Sequence, residues 1–405
     1  MLTTNYNIRS LKIFSREPFW LLVFLAIAMP LSFATWVALL NNFVIEVSGF
    51  SGVDIGWLQS AREIPGFLAV GVILVLFIMR EQTLAYISLI FLSVATAATA
   101  FFPSFYGLII TTIIGSIGFH YYETVNQSLQ LQWLDKKTAP SSIGWIVAAG
   151  SGTSLIVYLG IIFFWSYLNF SFLTIYFTSG LLTLLVVAFC WFRYPTFAIK
   201  KEQKTTLVLK KRYWLYYVLQ FLSGARRQIF VVFASFMMVE KFGFDVHQLT
   251  SLFLVNFLVN MLIAPLIGKY IEKYGERTAL IIEYSGLTVI FLLYAGLYFF
   301  DWSYIVASLL YIADHVFFGL AFAMKTYFQK IADKEDFAPT AAVGFTINHI
   351  SAVFLPAILG YIWIKNNSAV FFLAAAIAFC SLIIAFLVPR NPKKGEETVL
   401  SKFFY

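Results

Sequence analysis

The chain has 405 residues, of which 60% are hydrophobic and only 12% charged, with a mean hydropathy of +0.83. Ordinary soluble domains carry about 45–50% apolar and ~25% charged residues, so a soluble enzyme is excluded and a polytopic membrane protein is indicated. The net charge of +8 does not point to nucleic acid, because most cations sit at the ends of apolar segments, where they report topology. The two cysteines, Cys190 and Cys380, show no metal-binding or disulfide spacing and read as small hydrophobes within apolar runs.

Arg9, Lys12 and Arg16 precede a long apolar run that lacks a short core ending in a small-residue cleavage site, so this run reads as an uncleaved first span. At ~20 residues per crossing the chain holds twelve helical spans, at 18–41, 54–79, 83–101, 105–131, 141–165, 170–192, 213–240, 247–268, 278–300, 303–329, 339–364 and 368–389. The fold class is therefore all-α, with residues 1–192 forming one six-helix bundle and residues 213–389 a second. Between them, residues 193–212 form a linker with Arg193, Lys200, Lys201, Lys204, Lys210, Lys211 and Arg212 but one acid, Glu202. Residues 390–405 form a polar tail, expected to be disordered.

Charge tests this topology. Arg62, Arg226 and Arg227 fall within spans, Lys241 and Lys365 on one side, and the remaining cations on the other. The positive-inside bias then places both termini in the cytoplasm, in a cell membrane that is the inner membrane if the source is bacterial. The halves echo each other as well. Asp135-Lys136, Ala139-Pro140 and Gly160 recur as Asp333-Lys334, Ala338-Pro339 and Gly360 at an offset of roughly 200 residues, and His120 and His315 sit in matching spans.

Between the eighth and ninth spans, the stretch from Gly268 through Glu272, Lys273 and Gly275 to Arg277 resembles the cytoplasmic loop motif of the major facilitator superfamily. Glu272 stands for the usual Asp, and Glu276 departs from the basic residue of the motif. Read physically, the glycines suit a tight turn and the charges suit helix ends. The resemblance implies that Glu272 and Arg277 help lock the two halves in one state, and that the protein is a monomer. The matching first-half loop keeps Arg80 but lacks the glycine-and-acid frame. The fifth span lacks the Gly-Pro motif of the drug/proton antiporters and the fourth lacks their Arg, which counts against drug efflux.

Charged groups inside spans cost ~2.5–3.5 kcal/mol each at the centre on insertion scales, so they face protein or a cavity. Ser116, His120, Glu123, Gln127 and Gln130 form one face of the fourth span, and Gln220, Ser223 and Arg227 one face of the seventh, beside Arg226. Asp314-His315, Asn348-His349 and the pair Asn256 and Asn260 add further polar groups. In the superfamily spans one, four, seven and ten line the cavity, which the resemblance extends to Thr35 and Asn42. Arg62 and Glu63 precede Pro65-Gly66, a kink site. Adjacent residues diverge on a helix, so each is expected to find a partner on another span. Glu283, near the cytoplasmic end of the ninth span, is expected to snorkel or to pair with the motif loop.

These residues predict a secondary transporter, not an enzyme, that moves a small, anionic organic solute by alternating access with proton coupling. Arg226 and Arg227 are candidate anion ligands, with Gln220, Asn256, Asn348 and Thr35 as further substrate contacts. His120, Glu123, Asp314, His315 and His349 are candidate proton carriers, and Arg62, Glu63, Gly268, Glu272, Lys273, Gly275 and Arg277 candidate gating residues. The alternatives are efflux of amphipathic compounds, transport of a metal ion or chelate through the His and acid groups, and a non-transporting sensor. The expected partners are the bilayer, a small solute and protons, without nucleic acid; no phosphate-loop or hydrolase motif is present and no cofactor is expected.

Overall fold

The structure is a computed structural model that describes residues 15–134, 139–198, 209–333 and 336–401. Arg9, Lys12, the Asp135-Lys136 pair, Lys200, Lys201, Lys204 and Lys334 lie outside the described residues. Among the described residues, twelve helical rods run back and forth. In the first half they are α1 (Pro18–Glu46), α2 (Gly52–Phe67, then a tighter turn Leu68–Gly71 and Val72–Leu76), α3 (Glu81–Ala98), α4 (Phe105–Trp133), α5 (Ala139–Leu168) and α6 (Phe172–Arg193). The second half has α7 (Trp214–Gln228, a π-helical Ile229–Ala234, then Ser235–Glu240), α8 (Val246–Tyr274), α9 (Glu276–Gly296), α10 (Tyr304–Gly319 and Phe322–Ile331), α11 (Phe337–Trp363) and α12 (Asn367–Ala385). Both ends of the series lie on one face, the terminal side; the opposite face is the far side.

Ten of these rods are long and apolar enough to cross a membrane. The exceptions are α2, broken below Gly66, and α4, whose polar face lowers its hydropathy. Far-side turns are short, and five of the six helices starting there are capped by a side chain: Ser51 with Asp54 on α2, Ser104 on α4, Ser171 on α6, Asp245 with Gln248 on α8 and Asn366 on α12, while Ser303 before α10 makes no such bond. Each cap satisfies an otherwise orphaned N–H and is worth about 1 kcal/mol. Large apolar residues such as Phe77, Leu262 and Phe192 remain exposed, as a lipid-facing surface requires.

The packing repeats between halves. α3 lies against α4 and α6 as α9 lies against α10 and α12, and α1 against α5 and α6 as α7 lies against α11 and α12. Between halves, α2 packs on α11 and α8 on α5. The α2–α11 seam is closest on the far side, where glycines let backbones touch: a Cβ on Gly56 would lie 2.4 Å from the Pro356 carbonyl oxygen, and one on Gly360 2.5 Å from that of Gly52. Trp57 Nε1 donates to Tyr361 Oη at 3.2 Å, and Asn42 Nδ2 donates to the Phe244 carbonyl at 2.7 Å. The far side is sealed.

On the terminal side the expected disordered tail is instead docked through residue 401. Tyr327 Oη donates to the Glu397 carbonyl at 2.6 Å, Lys394 Nζ meets Asp333 at 2.5 Å, and Arg212, at the end of the linker, binds Asp333 and Asp336. The hydrogen bond from Lys394, opposed by burial and reinforced by Arg212, holds the Asp333 carboxyl below its ordinary value. The motif loop is also rearranged. Gly275 has φ +83°, the left-handed region where glycine is favoured, but Gly268 sits inside α8 with open space around it. Glu272 is exposed and Lys273 lies over Tyr274. The ion pair is made by the departing residue, Glu276, which is buried and 2.6 Å from Lys330 on α10, while Arg277 lies over Phe386. Glu276 wins this role because it opens α9 at the helix N-terminus, whereas Glu272 points outward from the last turn of α8.

If the glycine seam seals the far side, Gly56→Leu should hold α2 and α11 apart. A short cross-linker between Trp57→Cys and Tyr361→Cys, with Cys190 and Cys380 replaced by Ser, should react efficiently in the parent and poorly with Gly56→Leu.

Candidate functional site

Glu63 on α2 is the centre of the interior. It is 3% exposed, and its Oε1 accepts from Arg62 Nη2 at 2.5 Å and Nε at 3.1 Å. The expectation that neighbours diverge is thus corrected: Arg62 has a long, flexible stem, and its guanidinium folds back onto the adjacent carboxylate. Oε2 looks across to the other bundle, 3.5 Å from His349 Nε2 on α11 and 3.7 Å from Arg227 Nη2 on α7. Behind this group, His120 on α4 packs edge to face on His349 at 5.5 Å. Ser116 Oγ donates to the Arg62 carbonyl and lies 3.0 Å from His120 Nδ1. Gly66 makes this possible, since a Cβ there would lie 2.6 Å from both imidazoles. Its place is the close approach of two rings; the helix breaks one residue later, after Phe67.

The imidazoles have assignable protons. His349 Nδ1 faces the Phe345 carbonyl at 2.9 Å and His120 Nδ1 the Ser116 carbonyl at 3.0 Å, so in the neutral rings the proton is on Nδ1. His349 Nε2 then presents a lone pair to Glu63 until a second proton converts the contact into an ion pair. Glu63, His120 and His349 also place a carboxylate oxygen and two ring nitrogens within 4.8 Å of one another, a donor set suited to zinc-like ions. Arg62 and Arg227 already engage the carboxylate, and their charges oppose a divalent cation there.

A second cluster lies within the other bundle. Arg226, 1% exposed, donates to Glu283 on α9 at 2.6 Å, with its guanidinium over the Tyr284 ring at 4.8 Å. Glu283 is fully buried rather than paired with the motif loop, and Arg226 meets it through Nη2 while its Nε and Nη1 make no hydrogen bond. Neighbouring residues on α7 point about 100° apart, which sends Arg226 inward and Arg227 across the gap. Asp314 on α10 is buried, and its Oδ1 has no hydrogen-bond partner. A cavity of about 110 Å³ touches Arg226, Arg227, Asp314 and His315.

Beside it, a larger cavity of about 230 Å³ lies between the bundles, with Arg62, Gln59, Trp36 and Tyr158 from the first half and Asn256 and His315 among its walls from the second. Asn256 Nδ2 lies 3.0 Å from His315 Nδ1. Spans one, seven and ten thus contribute, joined by two, five and eight. Other expected contacts are elsewhere. Thr35 donates to the Leu31 carbonyl and accepts from Ser179 in the α1–α6 packing, because its hydroxyl bonds back to its own helix. Gln220 bonds Tyr216 and Asn348 bonds the Gln220 carbonyl, tying α7 to α11. Glu123 is half-buried, without an ion pair or hydrogen bond among the described residues. Trp36, Gln59, Tyr158 and Tyr311 were not legible as site residues; the one signal was spacing, Gln59 three before Arg62 and Tyr311 four before His315.

Twin six-helix bundles around a central cavity define a transporter fold. A family model described as Major Facilitator Superfamily matches residues 22–356 and 217–402, and the chain belongs to that superfamily of secondary transporters. No curated protein matches the sequence significantly. Among solved structures, a mutant of the nucleoside transporter NupG superposes with a TM-score of 0.74 at 15% identity, covering 91% of this chain and 99% of that one. A bacterial homologue of the human lysosomal transporter Spinster, inward-facing and occupied, gives 0.69 at 12% identity, covering 92% and 96%. At these identities the likeness shows the fold and carries no substrate.

Breaking the buried Arg226–Glu283 pair from one side strands a charge. Arg226→Gln should cost about 3–5 kcal/mol, read as a large fall in melting temperature in detergent, and Arg226→Met with Glu283→Leu should recover most of it.

Proposed function

We propose that this superfamily member moves a small organic anion together with protons by alternating access. The observation that supports this reading is that two guanidinium groups, Arg62 and Arg227, share one buried carboxylate, Glu63, where the bundles meet. One positive charge is left over beside the cavities, and in a low-dielectric interior it attracts an anionic group strongly. Arg62 lines the larger cavity and Arg227 the smaller.

Protons enter the reading through two groups. His349 gains an ion pair with Glu63 when protonated, with Arg62 and Arg227 facing the same carboxylate and His120 behind it. Among the described residues Asp314 forms no ion pair, and its Oδ1 has no hydrogen-bond partner. Loading a proton on either increases the local positive balance and favours the anion. The breaks in α2, α7 and α10 fall just beyond Arg62-Glu63, Arg226-Arg227 and Asp314-His315, where a rod that must bend has its soft points. The distribution of Lys and Arg supports cytoplasmic termini, so the sealed far side corresponds to an inward-facing state. A monomer in the cell membrane accords with this reading.

Proteoliposomes loaded with a pH-sensitive dye test it. Small organic acids added outside should drive proton entry faster than vesicles without protein. Asp314→Asn should abolish that proton movement, and Arg62→Gln should abolish the response to the acid. Proton movement driven only by lipophilic cations would overturn the anion reading in favour of efflux of amphipathic compounds.

A further inference from the structure

Resting on the alternating-access reading, the α2–α11 seam carries one more assignable residue. Along α2 the seam face is Gly52, Gly56, Ser60, Glu63 and Gly66, spaced four, four, three and three, so one side of the helix meets the other bundle. Its glycines let α11 approach closely, and its glutamate meets α11 through charge. Ser60, one turn from Gly56 and one from Glu63, makes a different contact. Its Oγ accepts the backbone N–H of Ala357 on α11 at 3.0 Å, and both residues are buried, at 4% and 8% exposed.

A backbone N–H in mid-helix is ordinarily spent within its own helix. Ala357 follows Pro356 inside α11. Proline has no N–H, and its ring pushes away the carbonyl four residues back, which loosens the turn and lets the next N–H reach a neighbour. The hydroxyl that meets this N–H belongs to the other bundle. One turn away, Gly56 admits the Pro356 carbonyl oxygen, 2.4 Å from where a Cβ would stand. The Trp57–Tyr361 bond on the same seam is exposed, so water can replace it at little cost. The Ser60–Ala357 bond is buried, and water cannot replace it while the seam is closed.

We infer that Ser60 is a positioning residue of the alternation: its hydroxyl holds α11 at the Pro356 break while the far side is sealed and lets go when the far side opens. In the sealed arrangement, loss of that oxygen strands a buried donor. In the open arrangement water reaches the same N–H, and the loss costs little. A contact that differs between two states in this way shifts the population between them. Ser60 also lies one turn before Glu63, so the latch and the cross-bundle contacts of Glu63 part at adjoining turns of one helix.

Labelling of intact cells with a membrane-impermeant maleimide, which reaches the protein from the far side, tests this. The reporter is Asn41→Cys, a position 6% exposed on α1 at the larger cavity, with Cys190 and Cys380 replaced by Ser. Ser60→Ala should raise the alkylation rate of the reporter roughly tenfold, the population shift expected when a buried donor is stranded. Ser32→Ala is the control, since it removes another buried bond, Ser32 Oγ to Thr183 Oγ1 at 2.7 Å, within the first bundle. It should lower the melting temperature and leave the labelling rate at the parent value. A parent-like rate in Ser60→Ala would overturn the latch, as would equal acceleration by Ser60→Ala and Ser32→Ala. Gly56→Leu, which forces the seam apart, then tells which reading has failed: fast labelling leaves alternation standing without the latch, and parent-like labelling removes the sealed far side and the alternating-access reading as well.

Discussion

A single carboxylate shared among cations organises the interior of this protein. Glu63 is held by Arg62 on its own helix and by Arg227 and His349 across the gap. In water such contacts would be weak. Away from water each unpaired charge is costly, by several kcal/mol per ion after relaxation, so the bundles gain by bringing their charges together. The geometry around Glu63 follows from that need. Gly66 lets two imidazoles approach, Ser116 ties α4 to α2, and α7 presents one arginine to each side. Its two arginines therefore divide the labour: Arg226 closes a charge pair inside its own bundle, and Arg227 reaches the other.

The far-side seal and the charge cluster are complementary. Glycines at 52, 56 and 360 bring α2 and α11 into backbone contact, and a few turns along the same helix pair the ionic contacts begin. Opening the far side separates these helices and so must also break Glu63 from His349 and Arg227. On the proposed reading, an anion that takes over one guanidinium, or a proton that alters the balance, would act at the place where the bundles are joined. On the same proposed reading binding and alternation are linked because a ligand's differential contact with the cluster would shift the population between two arrangements.

Much of the architecture was readable from the chain. Hydropathy and the sidedness of Lys and Arg give the twelve rods, and helical spacing places Ser116 and His120 on one buried face. Pairing was not readable. Whether Arg62 turns back to Glu63, or Arg226 reaches Glu283 on α9, depends on rotamers and on which rods adjoin. The motif loop shows the same limit: local pattern singles out Glu272, while helix phase gives the buried ion pair to Glu276. The rings that line the larger cavity were hidden for another reason. With 45 Phe and 22 Tyr in the chain, sequence alone cannot separate a ring that faces lipid from one that faces the cavity. The tail misled through composition, since its charges are matched by Asp333 and Arg212, residues distant in sequence.

The most direct test of the central role of Glu63 is the affinity for an organic acid in Glu63→Gln. If Glu63 and the substrate carboxylate compete for the same guanidinium groups, removing its charge frees Arg62 and Arg227, and the acid binds more tightly than in the parent. Unchanged or weaker binding of the acid in Glu63→Gln would contradict the account.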